Sequence, residues 1–291
     1  MNQLVKIDRL AIIGVGLIGG SFALALKQAG AVREVLGVGL TAASLGLARQ
    51  HGLIDRAVDF AEAGQADCIL LAVPVGETLG VLVQLAPHLR AGAIVTDTGS
   101  TKANVIVAAR AALGARFGDF VPGHPIAGSE RHGPTAARAD LFQSRKVVLT
   151  PEPETKTDAQ ALVESLWTAS GAQIEILDAD LHDQIFAAVS HLPHLAAYAL
   201  VNELAQRDNS ADYFRFAASG FRDFTRIAGS SPEMWRDIAL ANRQALLSEM
   251  DAYIAALQAL RQSVDSNDAS ALLATFSGAR VARERWSKAQ D

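Results

Sequence analysis

The chain has 291 residues, half of them hydrophobic and 20% charged, which suits one large or two modest packed domains and excludes a disordered chain. Its formal net charge of −5, with no long basic run, points away from nucleic acid and anionic membrane surfaces as partners. Cys68 is the only cysteine, so a disulfide framework within the chain and a cysteine-rich metal site are both excluded, and a reducing compartment is fitting.

The first residues, Met1 to Arg9, lack the apolar run of a signal peptide. Charge or proline breaks the apolar stretches well short of about 18 residues, so no membrane span is expected and a cytoplasmic location is. Short β-branched runs then alternate with helical patterns. Strands are expected at Leu10–Ile13, Val35–Val38, Cys68–Val73, Ala93–Asp97, Phe120–Val121 and Lys146–Leu149. Helices are expected at Leu17–Ala29, Ala42–His51, Glu77–Leu85 and Lys102–Leu113. Strands this short and this continuously apolar belong to a parallel sheet covered on both faces. The βαβ alternation makes it doubly wound. After the loop at Pro151–Glu154, a helix near Asp158–Ser170 and a strand at Gln173–Leu177 complete a first domain, 1–178. From about Asp180 the pattern is almost wholly helical and rich in Ala and Leu, giving an all-α second domain, 179–291. Its surplus of apolar faces points to a homodimer.

Gly14-Val15-Gly16-Leu17-Ile18-Gly19 follows the first strand and opens the first helix. In that setting a GxGxxG run is a dinucleotide-binding fingerprint. Gly14 allows the tight turn, Gly16 lets the backbone approach a pyrophosphate, and Gly19 lets helix and strand pack closely. The helix N-terminus adds free N–H groups and partial positive charge. Leu17, Ile18, Val73, Pro74 and Thr98 complete the expected cofactor-binding set. The acidic residue that commonly holds a ribose at the end of the second strand is missing, the stretch reading Gly37-Val38-Gly39-Leu40-Thr41-Ala42-Ala43-Ser44. Thr41 and Ser44 can donate hydrogen bonds to a 2′-phosphate or can simply cap a helix. Both NADP and NAD therefore stay open, with NADP slightly favoured.

Three clusters can carry chemistry. In Thr96–Lys102, at the carboxyl end of a strand, Ser100 can reach a substrate or cap the next helix. In Gly123–Glu130, His124 stands in a loop past the next strand, and a histidine suits removal of a hydroxyl proton near neutrality. In the helical half, Ser190-His191-Leu192-Pro193-His194 sets His191 and His194 three apart, on one face of a helix that Pro193 should bend. No ligand set completes a metal site around them, so no metal is expected. Farther on, Arg226 suits bidentate recognition of a carboxylate, while Asp223 either orients it or forms a surface ion pair.

The stretches IIGVGLIGGS, DTGSTK, GHPIAGSE, SHLPH and GFRDFTRIAGSSPEMW, in this order from Ile12 to Trp235, resemble the prephenate/arogenate (cyclohexadienyl) dehydrogenase family. The resemblance implies a Rossmann-type domain followed by a helical dimerisation domain. It implies oxidative decarboxylation of prephenate to 4-hydroxyphenylpyruvate, or of arogenate to tyrosine, with NAD or NADP. It also implies site roles: His124 accepts the ring hydroxyl's proton, Ser100 places that hydroxyl and the nicotinamide, and Arg226 binds a substrate carboxylate. Glu130, His191, His194, Asp223 and Trp235 match positions that line or gate the pocket. A β-hydroxyacid dehydrogenase shares the layout but relies on a lysine in the helical part, and no lysine lies between Lys156 and Lys288. A non-catalytic dinucleotide sensor would not need His124, Ser100 and Arg226 to converge.

Overall fold

The computed structural model describes residues 6–128 and 131–288. By its contacts the chain divides into two compact units, Met1–Arg243 and Gln244–Asp291.

The first unit is built on a parallel sheet of β1 (Ile7–Ile13), β2 (Val32–Val38), β3 (Arg56–Ala57), β4 (Cys68–Leu71), β5 (Ile94–Asp97) and β6 (Phe120–Val121). Their order across the sheet is β3-β2-β1-β4-β5-β6. The reversal of direction beside β1 is where open α/β sheets bind ligands. Helices α1 (Leu17–Gln28), α2 (Ala42–Gln50), α3 (Phe60–Ala63), α4 (Thr78–Leu85) and α5 (Ala103–Leu113) connect these strands. Side chains alternate across each strand, so β1 feeds two cores. Leu10 and Ile12 join one with Phe22 and Trp167; Ala11 and Ile13 join the other with Leu36, Leu71 and Val95. The rings of Phe22 and Trp167 lie 4.2 Å apart. Full burial of such a side chain contributes about 1.5–3 kcal/mol.

The strands after β6 depart from the sequence expectation. Lys146–Leu149 and Gln173–Ile176 do not extend the six-stranded sheet. They are β8 and β9 of a separate sheet, ordered β7-β8-β9, whose first strand β7 is Gly123–Pro125. Pro122 lacks the N–H needed to continue β6, and its carbonyl instead accepts Thr150 N at 3.1 Å. The chain therefore turns, and β7 pairs antiparallel with β8, His124 opposite Val148. His124 is thus a strand residue, not a loop residue. Helix α6 (Thr157–Ala169) links β8 to β9.

From Ala179 the described chain is helical. Helix α7 (Ala179–Phe186) passes through a π-helical turn, Ala187–His191, into α8 (Leu192–Ala205). Pro193 does not break the run. It sits in the first turn of α8, just after the wider π turn, so its missing N–H and its ring are accommodated. The continuous stretch Ala179–Ala205 has 27 residues and contains an 18-residue window of mean hydropathy 1.2, so by length and composition alone it could cross a membrane, where the sequence led to no such expectation. Its buried His182, Asp183 and His191 are bound into a polar network within the unit. Helices α9 (Ser210–Phe216), α10 (Ser219–Thr225) and α11 (Pro232–Ala241) complete this unit.

Helix α12 (Arg243–Asp265) opens at the division, and α13 (Ala269–Lys288) follows it. On α12, Leu247, Ile254, Leu257 and Val264 recur at helical spacing and are all exposed.

Candidate active site

The glycine loop takes the geometry its spacing implies. Gly14 has φ +94°, and a Cβ there would lie 2.3 Å from the Ala72 carbonyl oxygen. A Cβ on Gly19 would lie 2.5 Å from the Gly14 carbonyl oxygen, so this glycine lets α1 approach β1. A Cβ on Gly16 would meet nothing within 4 Å. Gly16 faces a cavity of about 820 Å³ that Leu17, Ile18, Val73, Pro74 and Thr98 also line. The N-terminus of α1 carries no side-chain cap and no acidic residue in its first turn, leaving its N–H groups for an anion. These residues fit a dinucleotide. At the β2 end, the Thr41 hydroxyl accepts Ser44 N at 3.1 Å, so Thr41 is the N-cap of α2.

The same cavity is lined by Ser100 and His124. Ser100 does not cap α5, whose N-cap position is Lys102 without a side-chain cap. Asp183 of α7 does that work instead. Its Oδ1 accepts Lys102 N at 2.8 Å and its Oδ2 accepts Ala103 N at 3.0 Å. The Lys102 side chain turns fully inward. Its ammonium donates to Asp97 Oδ2 at 2.5 Å and to the Gly123 carbonyl at 2.6 Å, and Asp97 Oδ1 accepts Gly123 N at 2.9 Å. The Asp97–Lys102 pair thus fixes the first residue of β7, next to His124. The His124 ring lies against Phe186 at 4.8 Å, and its Nδ1 is 2.8 Å from His182 Nε2. His182 Nδ1 is 2.8 Å from Asp183 Oδ1.

Burial, and then the neighbouring His182, Lys102 and His191, push His124 well below the ordinary histidine value of 6.5. His182 is lowered by burial, against the opposing hydrogen bond it donates to Asp183. Burial pushes the Asp183 carboxyl up, but the His182 hydrogen bond and the Ala103 and Lys102 N–H groups outweigh it and hold it low. Near neutrality the site therefore contains a neutral His124, able to accept a proton.

A second cluster gathers other residues singled out in the sequence. The His194 ring stacks on Trp235 at 3.6 Å, and His191 meets Trp235 at 6.1 Å, so the two histidines do share a face. His191 Nδ1 lies 3.1 Å from Asn242 Nδ2, which also donates to the Asp183 carbonyl at 2.7 Å. The Arg226 charge helps lower His194, after burial and against the Ser190 carbonyl hydrogen bond. Arg226 itself is exposed and opens the turn Arg226–Gly229, which leads into the cavity-wall residues Ser230–Met234. Asp223 is a surface residue, 3.9 Å from Arg222. Arg226, His191, His194, Asp223 and Trp235 are not among the residues lining the 820 Å³ cavity. Glu130 lies outside the described residues. Among the described residues no group of three or more His, Cys, Asp or Glu is placed to hold a metal ion.

Sequence reasoning passed over Asp97, Lys102, His182, Asp183 and Asn242. Asp97 and Lys102 flank the Ser100 stretch, and an adjacent His–Asp pair in an otherwise amphipathic helix was the one available sign of α7's role.

Residues 22–176 match the family model described as prephenate dehydrogenase, nucleotide-binding domain, and residues 178–278 match prephenate dehydrogenase, dimerization domain. The cyclohexadienyl dehydrogenase of Zymomonas mobilis is 38% identical over 278 residues, 94% of each chain. The fold is similar to prephenate dehydrogenase from A. aeolicus, in complex with hydroxyphenyl propionate and NAD+, with a TM-score of 0.91 at 33% identity, covering 97% of this chain and 99% of that one. It is also similar to Synechocystis arogenate dehydrogenase, with a TM-score of 0.80 at 30% identity, covering 96% and 99%.

The buried histidines also shape stability. His191 is lowered to about 4, chiefly by burial. Between that value and 6.5 the unfolded chain binds the proton that the native state refuses, so stability rises with pH there. The contribution is complete above about pH 6.5 and is lost as pH falls toward about 4. The melting temperature is therefore expected to drop across this window, and to drop less in His191→Asn. Equal drops in the two proteins would remove His191 from the account.

Proposed function

The chain belongs to the prephenate dehydrogenase family and is an oxidoreductase of tyrosine biosynthesis, and we propose that it oxidatively decarboxylates prephenate, arogenate or both with His124 as the base. The observation that carries this reading is the presence of His124, Ser100 and the glycine loop in one cavity. When bound there, a nicotinamide dinucleotide supplies the hydride acceptor. His124 takes the proton from the substrate's ring hydroxyl, and Ser100 orients that hydroxyl. As the hydroxyl-bearing carbon is oxidised, the ring carboxylate leaves as CO₂ and the ring becomes aromatic. The residues supply mainly orientation and one base, because aromatisation drives the loss of CO₂. Arg226 binds a substrate carboxylate at the turn that leads into the cavity wall, its charge reaching His194, which stacks on Trp235, with His191 nearby. Glu130 and Asp223 keep only the pocket role that the family resemblance implies.

The acceptor is NADP or NAD. The end of β2 carries no carboxylate to repel a 2′-phosphate, which favours NADP slightly. The NAD+ bound to the A. aeolicus relative argues for NAD. The cofactor domain is 1–178 and the helical substrate and dimerisation domain is 179–291, a division supported by the two matched ranges. A homodimer accounts for the exposed apolar stripe on α12 and for the dimerization-domain match. Light scattering is expected to report the mass of two chains, and a one-chain mass would contradict the dimer.

The direct test follows the near-ultraviolet absorbance of reduced nicotinamide with prephenate or arogenate and with NAD or NADP. Reduction is expected, and the four rates rank substrates and acceptors. No reduction by folded protein in any mixture would overturn the reading. His124→Asn is expected to lower turnover by about a hundredfold or more, with cofactor affinity little changed; unchanged turnover would remove His124 from the chemistry.

A further inference from the structure

A histidine can act as a base only through the ring nitrogen that lacks a proton, so which nitrogen of His124 is bare decides whether it can work. The surrounding hydrogen bonds settle this from Asp183 outward. The Asp183 carboxylate accepts two backbone N–H groups, Lys102 N and Ala103 N, so it is ionised and has only acceptors to offer. His182 must therefore donate from Nδ1 to Asp183 Oδ1. A neutral His182 then has a bare Nε2, and its neighbour 2.8 Å away, His124 Nδ1, must carry the proton between them. The remaining nitrogen of His124, Nε2, is left as the acceptor.

The charges in this buried group lead to a second consequence. Lys102 neutralises Asp97, which it contacts directly. Among the described residues Asp183 forms no direct ion pair with a lysine or arginine; it is held by the α5 N-terminus and His182, and the Lys102 ammonium, bonded to Asp97, acts on it without direct contact. One negative charge therefore stands two imidazole rings from the point where a proton arrives. A cation formed on His124 keeps its Nδ1–H donated toward that charge through His182.

We propose that His182 and Asp183 are positioning residues of the reaction, locking His124 in the Nδ1–H tautomer so that Nε2 is the base, and offsetting the positive charge His124 gains. This rests on the reading of His124 as the base. The dyad touches no reacting atom, and it differs from a merely structural clamp between α7 and α5 in what its loss does. A clamp would loosen the fold and the cofactor site together. Asp183 also caps α5, but His182 takes no part in that cap, so its loss as a relay member lowers turnover and leaves the fold and the cofactor site intact.

The test has two independent arms. In substrate-free wild-type protein carrying ¹⁵N-labelled histidine, long-range ¹H–¹⁵N spectra near neutral pH are expected to show His124 protonated at Nδ1. Protonation at Nε2 would overturn the proposal, and this arm requires no variant to fold and no turnover. In the second arm, His182→Leu removes the acceptor while keeping an apolar volume, and His182→Gln restores an oxygen acceptor near the Nε2 position. His182→Leu is expected to lower kcat about tenfold or more, with substrate KM and cofactor Kd within about twofold of wild type, and His182→Gln to recover part of the loss. Wild-type kcat in His182→Leu, or loss of kcat and cofactor affinity together in both variants, would overturn it. If wild-type protein reduces no nicotinamide with prephenate or arogenate, the functional reading fails, while the tautomer is still decided by the spectra.

Discussion

The arrangement of the site depends on one carboxylate. Asp183 takes the two free N–H groups that open α5 and also holds His182. With the N-terminus of α5 anchored this way, Lys102 at its N-cap can direct its side chain inward rather than into water. Its ammonium then binds Asp97 at the end of β5 and the Gly123 carbonyl at the start of β7. Two elements far apart in sequence, the strand that carries His124 and the helix that carries His182, are thereby brought within one hydrogen bond of each other. Loss of Asp183 would leave two backbone donors, a histidine and a buried lysine without their present order. The cost of such unsatisfied groups is about 1–3 kcal/mol each.

Burying so many polar groups is unfavourable unless each is matched. Most are. Asn242 joins His191 to the Asp183 carbonyl, and the Asp97–Lys102 pair shares Gly123. The result is a polar network behind His124, in the wall of a cavity whose other lining combines the glycine loop and apolar side chains with Arg131, His132 and Glu233. The same burial lowers the histidines, so the base is neutral where it must accept a proton. The π-helical turn at Ala187–His191 serves the same end: it carries the helical run past Pro193 and leaves His191 facing Asn242.

Much of this was legible in the sequence, and the exceptions have physical reasons. The strands β1, β2, β4 and β5 are apolar enough to announce a covered parallel sheet, and Gly14, Gly16 and Gly19 announce the loop between β1 and α1. His124 and Ser100 were visible as polar residues beyond strand ends. β7 was not visible, because Gly123-His124-Pro125 has two turn-forming residues in three, and its pairing partner Val147–Leu149 lies more than twenty residues on. Nor was the six-plus-three split of the strands, which follows from Pro122 and a long-range pairing. Lys102, His182 and Asp183 were passed over because charged side chains on amphipathic helices normally face water. Their burial arises only when α7 meets α5, some eighty residues apart. Of the two roles open to Ser100 in the sequence, substrate contact or helix cap, the cap is taken by a distant carboxylate.

The central claim is that His124 presents a bare Nε2 to the hydroxyl of a ring substrate. The most direct measurement is a crystal structure of this protein with a nicotinamide dinucleotide and the phenolic product 4-hydroxyphenylpyruvate. The account predicts the phenol oxygen about 3 Å from His124 Nε2 and within reach of Ser100 Oγ, with His124 Nδ1 still on His182. A phenol oxygen bound out of reach of His124, with the cofactor in the glycine loop, would contradict it.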